Sequence, residues 1–389
     1  MKQKRQNMII YGVVIALSAL FIVLGRNSLS SFISLADPSV QYCRALVTQT
    51  DDTDLSPPNT GGDRMYGNQY LELRLLDGKH KGETVTAENF IVADSYLYPQ
   101  TGDTMIVSVD MRDDGALYCK LTSFYRMPGI LFIAGLFVVA LLLICRRKGL
   151  RALCGLVFTM IMIFCFTIPQ IYNGASPVWC AILTAAVTSG VSLLLLNGFH
   201  KKTLASVLST CAGFGIAGGL FAVFSYLANV SGYNTQQLGM LTYFSTHTGL
   251  QVEYILFAGV LIASLGAVMD VSMSVSSAVN EIYNNNNALS LKELYKAGME
   301  VAKDTTGTMS NTLILAFTGG ALASLIALTG YGIQINRFLN SDFIAVEIGQ
   351  GLCASTALIA MAPLTALVAA LLCTRRGRKS VENLGVDKQ

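Results

Sequence analysis

Asp270, Ser274, Ser277 and Glu281 recur at spacings of four, three and four. On a helix that spacing puts two carboxylates and two hydroxyls on one face. Asn280 lies beside them, and Gly259, Ala263, Gly266 and Ala267 precede them, small enough to let a second helix approach. A second series, Asp304, Thr308, Asn311 and Thr318, again shares a face and runs into Gly319-Gly320. Glu347, Gln350 and Gly351 open a third helical stretch. An ionisable group inside a membrane span is costly, so each is a functional candidate. The chemistry predicted is a proton or cation path, with Asp270 as the titrating carboxylate. Thr308, Asn311 and the serines would be its hydrogen-bonding relays, and Glu281, Asp304 and Glu347 the groups nearer the ends. The competing reading is helix glue, because hydroxyls and amides bond across spans for about 0.6 kcal/mol each.

Other chemistries fail on spacing. Asp304-Thr305-Thr306-Gly307-Thr308 imitates a phosphorylated-aspartate loop but lacks the lysine that should follow the aspartate. Asp270 follows Val268-Met269, so it lacks the Gly-x-Gly-Asp setting of an intramembrane aspartyl protease. His80, His200 and His247 are too scattered for zinc. There is no phosphate-binding loop, dinucleotide fingerprint or serine nucleophile elbow, so neither a cofactor nor an enzyme is expected.

These residues sit in a chain built for lipid. Of its 389 residues 52% are hydrophobic and 13% charged, against about 25% charged in soluble domains. Its mean hydropathy is +0.52. Those figures exclude disordered, collagen-like and disulfide-scaffold classes. The net charge of +3 is not gathered into a nucleic-acid-binding patch. Eight stretches are apolar enough to span: 8–24, 128–144, 152–168, 178–196, 204–228, 254–277, 308–328 and 343–373, the last containing Pro363. The first looks like a signal peptide but has no small-x-small cleavage site after it, so an uncleaved anchor over residues 1–25 is expected. Basic residues cluster before the first span (Lys2, Lys4, Arg5) and after the second (Arg146, Arg147, Lys148, Arg151). More follow the fourth (Lys201, Lys202), the sixth (Lys292, Lys296, Lys303) and the eighth (Arg375, Arg376, Arg378, Lys379, Lys388). By the positive-inside rule both termini are cytoplasmic and residues 26–127 lie outside, in the plasma membrane of a cell.

The outer segment 26–127 reads as a small all-β domain. Strands are expected over 41–48, 69–76, 105–110 and 116–122, with turns at Asp77-Gly78, Gly82 and Gly102-Asp103 and a mobile loop over 51–68. Cys43 and Cys119 fall in two of these strands, where they are either a disulfide or two buried thiols. No cysteine spacing matches a metal cluster. Ser290-Leu291-Lys292-Glu293 is a capping box, and Leu291, Leu294, Tyr295, Gly298 and Ala302 share the next face. An interfacial amphipathic helix is therefore expected near 290–303. Residues 128–373 make a seven-helix membrane domain and 374–389 a basic tail.

Two long runs resemble the YibE/F-like family of bacterial membrane proteins: Gly266 through Ile282, and Gly298 through Asp304 followed by Gly307 through Ala316. In the outer segment Leu75-Leu76-Asp77-Gly78, Lys81-Gly82, Asn89 and Gly102-Asp103 match the same family's pattern. The resemblance covers nearly the whole chain. It implies a multi-span membrane protein with a paired family member or a second copy as partner, and no catalytic residues. A fainter, fold-level likeness links Asp270, the linker through Lys303 and Thr308–Asn311 to the SecD/SecF and resistance-nodulation-division transporters. Eight spans instead of six per repeat, and a small outer domain, depart from that pattern. The function expected is a transporter or transport-complex subunit, driven by proton or cation movement through spans six to eight, with an ion or small-molecule substrate. Its rival is a non-catalytic scaffold or sensor whose outer domain meets an envelope ligand. A cysteine-accessibility map should label residues 26–127 from outside intact cells and the 146–151 and 292–303 segments only after permeabilisation.

Overall fold

The computed structural model describes residues 11–25, 40–57, 64–92, 97–111, 117–330, 332 and 334–382. Lys2, Lys4, Arg5 and Lys388 lie outside the described residues, as does the 58–63 part of the expected loop. The chain divides into two compact units, Ser30–Ile144 and Met1–Leu29 with Cys145–Gln389. The protein is an all-α polytopic membrane protein carrying a small β domain.

The β unit is antiparallel. Its strands are β1 (Gln41–Asp51), β2 (Leu55–Ser56), β3 (Tyr66–Leu75), β4 (Thr84–Ile91), β5 (Thr104–Met111) and β6 (Leu117–Phe124). The sheet runs β2-β3-β1-β5-β6, β4 pairs with β3, and β4 curls back against β6 to make a half-barrel. Strict alternation turns Leu71, Leu73, Leu75, Val85, Ala87, Met105, Val107 and Val109 inward. Gly78 (φ 86°) and Gly82 (φ 91°) shape the β3–β4 connection in a left-handed conformation that favours glycine. Asp77 locks that turn to β1, its carboxylate accepting from the Arg44 backbone N–H at 2.6 Å and from Nε at 2.7 Å. Those two bonds hold the Asp77 carboxyl below the usual carboxylate range. The turn contact therefore persists above that range and is lost as acid protonates Asp77.

β2 and β4 are absent from the strands expected, and segment 51–57 is ordered where a mobile loop was expected. One polar network explains both. Gln69, fully buried on β3, donates to Asp52 Oδ1 and to the Pro99 carbonyl, each at 2.9 Å. Asn89 on β4 donates to Gln69 Oε1 at 3.0 Å and to the Leu97 carbonyl at 2.7 Å, and Tyr98 Oη donates to Asp52 Oδ2 at 2.8 Å. An inward Asn89 breaks the apolar alternation by which a strand is recognised, yet its amide is satisfied inside the barrel.

The Cys43 and Cys119 thiols are free and buried. Cys43 pairs with Val107 and Cys119 with Val109, so β5 stands between their strands. Two strand spacings are about 10 Å, beyond the roughly 7 Å between Cα atoms that a disulfide spans. Burial raises both thiols, Cys119 to about 11.

Six helices among the described residues are long and apolar enough to cross a bilayer, the first of them starting within the Ser30–Ile144 unit. The eight expected stretches are counted as six long helices for two reasons. The first is described only as α1 (Tyr11–Gly25), a shorter apolar helix. The second and third fall in one 46-residue stretch, Met127–Tyr172. It comprises α2 (Met127–Ile161), a π-helical turn (Met162–Thr167) and α3 (Ile168–Tyr172). α2 leaves helical geometry at Arg146 (φ 47°, ψ −121°), inside the basic cluster that separated the two expected spans. The other crossing helices are α4 (Pro177–Asn197), α5 (Lys201–Ala228), α7 (Ile255–Asn285), α8 (Leu291–Gly330) and α10 (Asp342–Glu382). Short helices α6 (Leu238–Thr248) and α9 (Ile335–Leu339) lie in the connections. Trp179, Tyr226, Tyr233, Tyr243 and Tyr254 are exposed around the start of α4, the end of α5 and the start of α7, as in the aromatic belt at a membrane surface.

Replacing Asn89 by Ala leaves the Gln69 and Leu97 oxygens unpaired, a cost of about 1–3 kcal/mol. In the full chain at neutral pH, Cys43 and Cys119 should resist alkylation until denatured. The Asn89→Ala variant should speed Cys119 alkylation by roughly tenfold or more, read by mass spectrometry.

Candidate functional site

α7 has two faces. Val268, Val271, Val275 and Val279, all fully buried, follow spacings of three, four and four and pack among α4, α5 and α10. At about 100° per residue, Asp270 lies about 200° round from Val268, on the other side of the helix. The structure accordingly exposes Asp270, Ser274 and Glu281 and leaves Ser277 half-buried. Gly259, Ala263 and Gly266 are exposed on the same stripe, and a Cβ at either glycine would meet nothing within 4 Å. Asp304, Thr308, Asn311 and Thr318 of α8 are exposed too. The polar stripes of α7 and α8 do not face one another, and only Thr318 of the second reaches the α8–α10 seam. Branched apolar side chains win the interior because they bury more area.

Hydroxyls fill part of that interior. Ser264, Ser272 and Ser276 of α7 are fully buried, with Thr210 and Ser209 of α5. Thr210 and Ser272 hydroxyls bond at 2.7 Å, and Thr167 and Thr184 at 2.6 Å. These are interhelical glue. Glycines permit the approach: a Cβ at Gly213 of α5 would come within 2.7 Å of Val268, and one at Gly298 of α8 within 2.6 Å of Val279.

α8 packs chiefly on α7 and α10, and two cavities lie in series along its seam with α10. The first, of 270 Å³, is apolar apart from Glu347 and Thr318 and is walled by Phe317, Ala321, Phe338 and Ile348. Glu347 is half-buried, and its carboxylate has no ion-pair partner among the described residues. The second, of 420 Å³, is lined by Lys303, Thr306, Ser310, Ile359 and Pro363. The hydroxyls of Thr306 and Ser310 are buried there without a hydrogen-bond partner. Pro363 has no N–H to return to the Ile359 carbonyl, so a backbone acceptor is freed beside them.

The seam thus joins Glu347 with Thr318 and leaves Asp270, Glu281, Asp304 and Asn311 elsewhere. Thr306 and Ser310 escaped the sequence reading, although Leu294, Gly298 and Ala302 already marked their face. Continuing that series by fours reaches both. The capping box is present, with Glu293 accepting from the Ser290 N–H at 2.9 Å. The helix it starts runs unbroken into the span, and Leu294, Gly298 and Ala302 are covered by protein, not laid on lipid. The sheet of the β domain offers a further cavity of 710 Å³ between β4 and β6, lined by Glu88, Phe90, Tyr118 and Lys120. Among the described residues no group of three or more His, Cys, Asp or Glu converges as a metal site.

The sequence profile of a family described as YibE/F-like protein matches residues 133–375, more than half of the chain. No curated protein matches, and no solved structure does.

The packing separates the glycines into two classes. Gly298→Leu and Gly213→Leu should each lower the thermal midpoint of the detergent-solubilised protein, at a cost of about 1–3 kcal/mol for overpacking. Gly266→Leu should leave that midpoint nearly unchanged, because its side chain enters open space.

Proposed function

The chain belongs to the YibE/F-like family, and we propose that it is a plasma-membrane transport protein or transport-complex subunit that moves a proton or small cation along the α8–α10 seam. Both termini are cytoplasmic in this reading and the β domain is outside. The observation that carries it is the pair of cavities in series on one helix seam. One holds a half-buried carboxylate, and the other two buried hydroxyls without partners beside a carbonyl freed by Pro363. A mobile proton or cation needs such oxygen donors spaced along a path, each binding weakly enough to release. Ser209, Ser276 and Ser355 are also buried without a partner, so what sets Thr306 and Ser310 apart is the cavity they line.

Asp270 belongs to a different face. A carboxylate open to hydrocarbon costs about 2.5–3.5 kcal/mol at mid-bilayer, and the Gly259–Ala263–Gly266 stripe beside it suits a close helix contact. In the proposed assembly a paired family member or a second copy covers this stripe. The rival reading makes the protein a non-enzymatic sensor or scaffold. It draws on the β4–β6 cavity, whose Glu88, Lys120, Phe90 and Tyr118 suit a polar ligand with an aromatic or apolar part.

Proteoliposomes loaded with a pH-sensitive dye test the path under an imposed proton or sodium gradient. Glu347→Gln and the pair Thr306→Val with Ser310→Ala should each cut the flux about tenfold or more while the protein elutes as wild type. Loss with Asp270→Asn alone would move the path to the α7 face. Unchanged flux, or none in the wild type with a purified partner present, would favour the sensor.

A further inference from the structure

Where α5 ends and α7 begins, a cavity of 570 Å³ is lined by Phe221, Tyr226, Tyr254 and Phe257, with Glu253 and Ser231 beside the rings. That volume lies within the roughly 300–1,000 Å³ range of small-molecule sites. Phe221 is 2% exposed and meets Phe257 edge to face at 6.3 Å, so this wall is fixed by the core. Glu253 is exposed and has no ion-pair partner among the described residues.

The opposite wall is built with equal care. Asn229 ends α5 in the left-handed conformation (φ 52°), its N–H donating to the Ser225 carbonyl. The Ser225 hydroxyl donates to the Val230 carbonyl. Ser231 and Asn234 then form a capping box. Gly232 lies so close to the Val252 carbonyl that a Cβ there would come within 1.6 Å of its oxygen. Asn234 Nδ2 donates to Asp342 Oδ1 at 3.0 Å and ties the turn to α10. The cavity is therefore formed before any ligand arrives.

We infer that this cavity binds an organic ammonium group, a quaternary head of the choline type above all. The aromatic side chains of Tyr226, Tyr254 and Phe257 along this cavity suit a cation with little hydration of its own, and the Glu253 carboxylate supplies the balancing charge. A neutral molecule of the same shape gains neither contribution. Tyrosines at a membrane surface also serve as an interfacial belt, but a belt has no preference between a cation and its uncharged isostere. The inference is independent of the conduction path, since α8 contributes nothing to this cavity. The ammonium has two sources, a soluble compound or the headgroup of a neighbouring lipid.

The test is binding of radiolabelled choline to the full chain in phosphatidylglycerol nanodiscs, read by scintillation proximity. Saturable binding is expected. Unlabelled choline should compete at least about tenfold better than dimethylbutanol, its uncharged carbon isostere. Glu253→Gln and Tyr254→Leu should each weaken binding about tenfold, whereas Tyr254→Phe, which keeps the ring, should bind as wild type. Equal competition by dimethylbutanol, binding that does not saturate, or wild-type binding by Glu253→Gln overturns the assignment. Discs of phosphatidylcholine separate the sources. Lost choline binding there identifies the lipid headgroup as occupant, and retained binding identifies a soluble ammonium.

Discussion

The membrane unit turns on the contact between Val268 of α7 and Gly213 of α5. Val268 is wholly buried, and any side chain at Gly213 would collide with it and with Met361 of α10. Three helices meet at that point, with no room for a methyl group to spare. In hydrocarbon there is no water-driven force to press helices together, so close packing of this kind must hold them. Once Val268 is seated, the rotation of α7 is fixed. Val271, Val275 and Val279 follow it inward, Ser272 reaches Thr210, and Asp270 is carried to the far side. The placement of every ionisable group on α7 follows from this one contact.

The β domain obeys a different constraint. It is small enough that a polar network replaces part of the core it would otherwise need. Gln69 and Asn89 cross-link β3 and β4 from the inside and hold the chain segments at Asp52 and at Leu97–Pro99 against them. Such a network stabilises only when complete, because each unpaired member would retain its full desolvation cost. Here both side-chain amides donate twice.

The sequence was most legible where one rule governs. Apolar runs located the spans, the Asp77-Gly78 pair located its turn, and Ser290 with Glu293 located the start of α8. The family was recognisable from two runs in α7 and α8. It was least legible where two rules compete. β4 carries Asn89 at an inward position, so alternation alone does not reveal it. The spacing of Asp270, Ser274, Ser277 and Glu281 correctly defines a shared face, but no spacing says whether that face points in or out. The direction depends on the valine stripe opposite, whose partners Gly213 and Met361 lie far away in the sequence. Thr306 and Ser310 were hidden for the converse reason: they continue an apolar series and look like its frayed end.

The two arrangements of polar groups therefore carry different meanings. Hydroxyls turned inward can be afforded anywhere in a span, because a helix can satisfy Ser or Thr from its own carbonyl four residues back, as Thr365 does with Met361 at 3.1 Å. The Thr306 and Ser310 hydroxyls make no such bond, and both residues line the second cavity. A carboxylate has no such fallback, since the helix offers it no spare donor. Glu347 sits beside a cavity at the end of its span, within reach of water. Asp270 is the sixteenth residue of α7, on a face that the described helices leave open. The packing that turns Asp270 to this side leaves its carboxylate exposed in the middle of the helix. That is the physical reason to look for whatever covers it in the membrane.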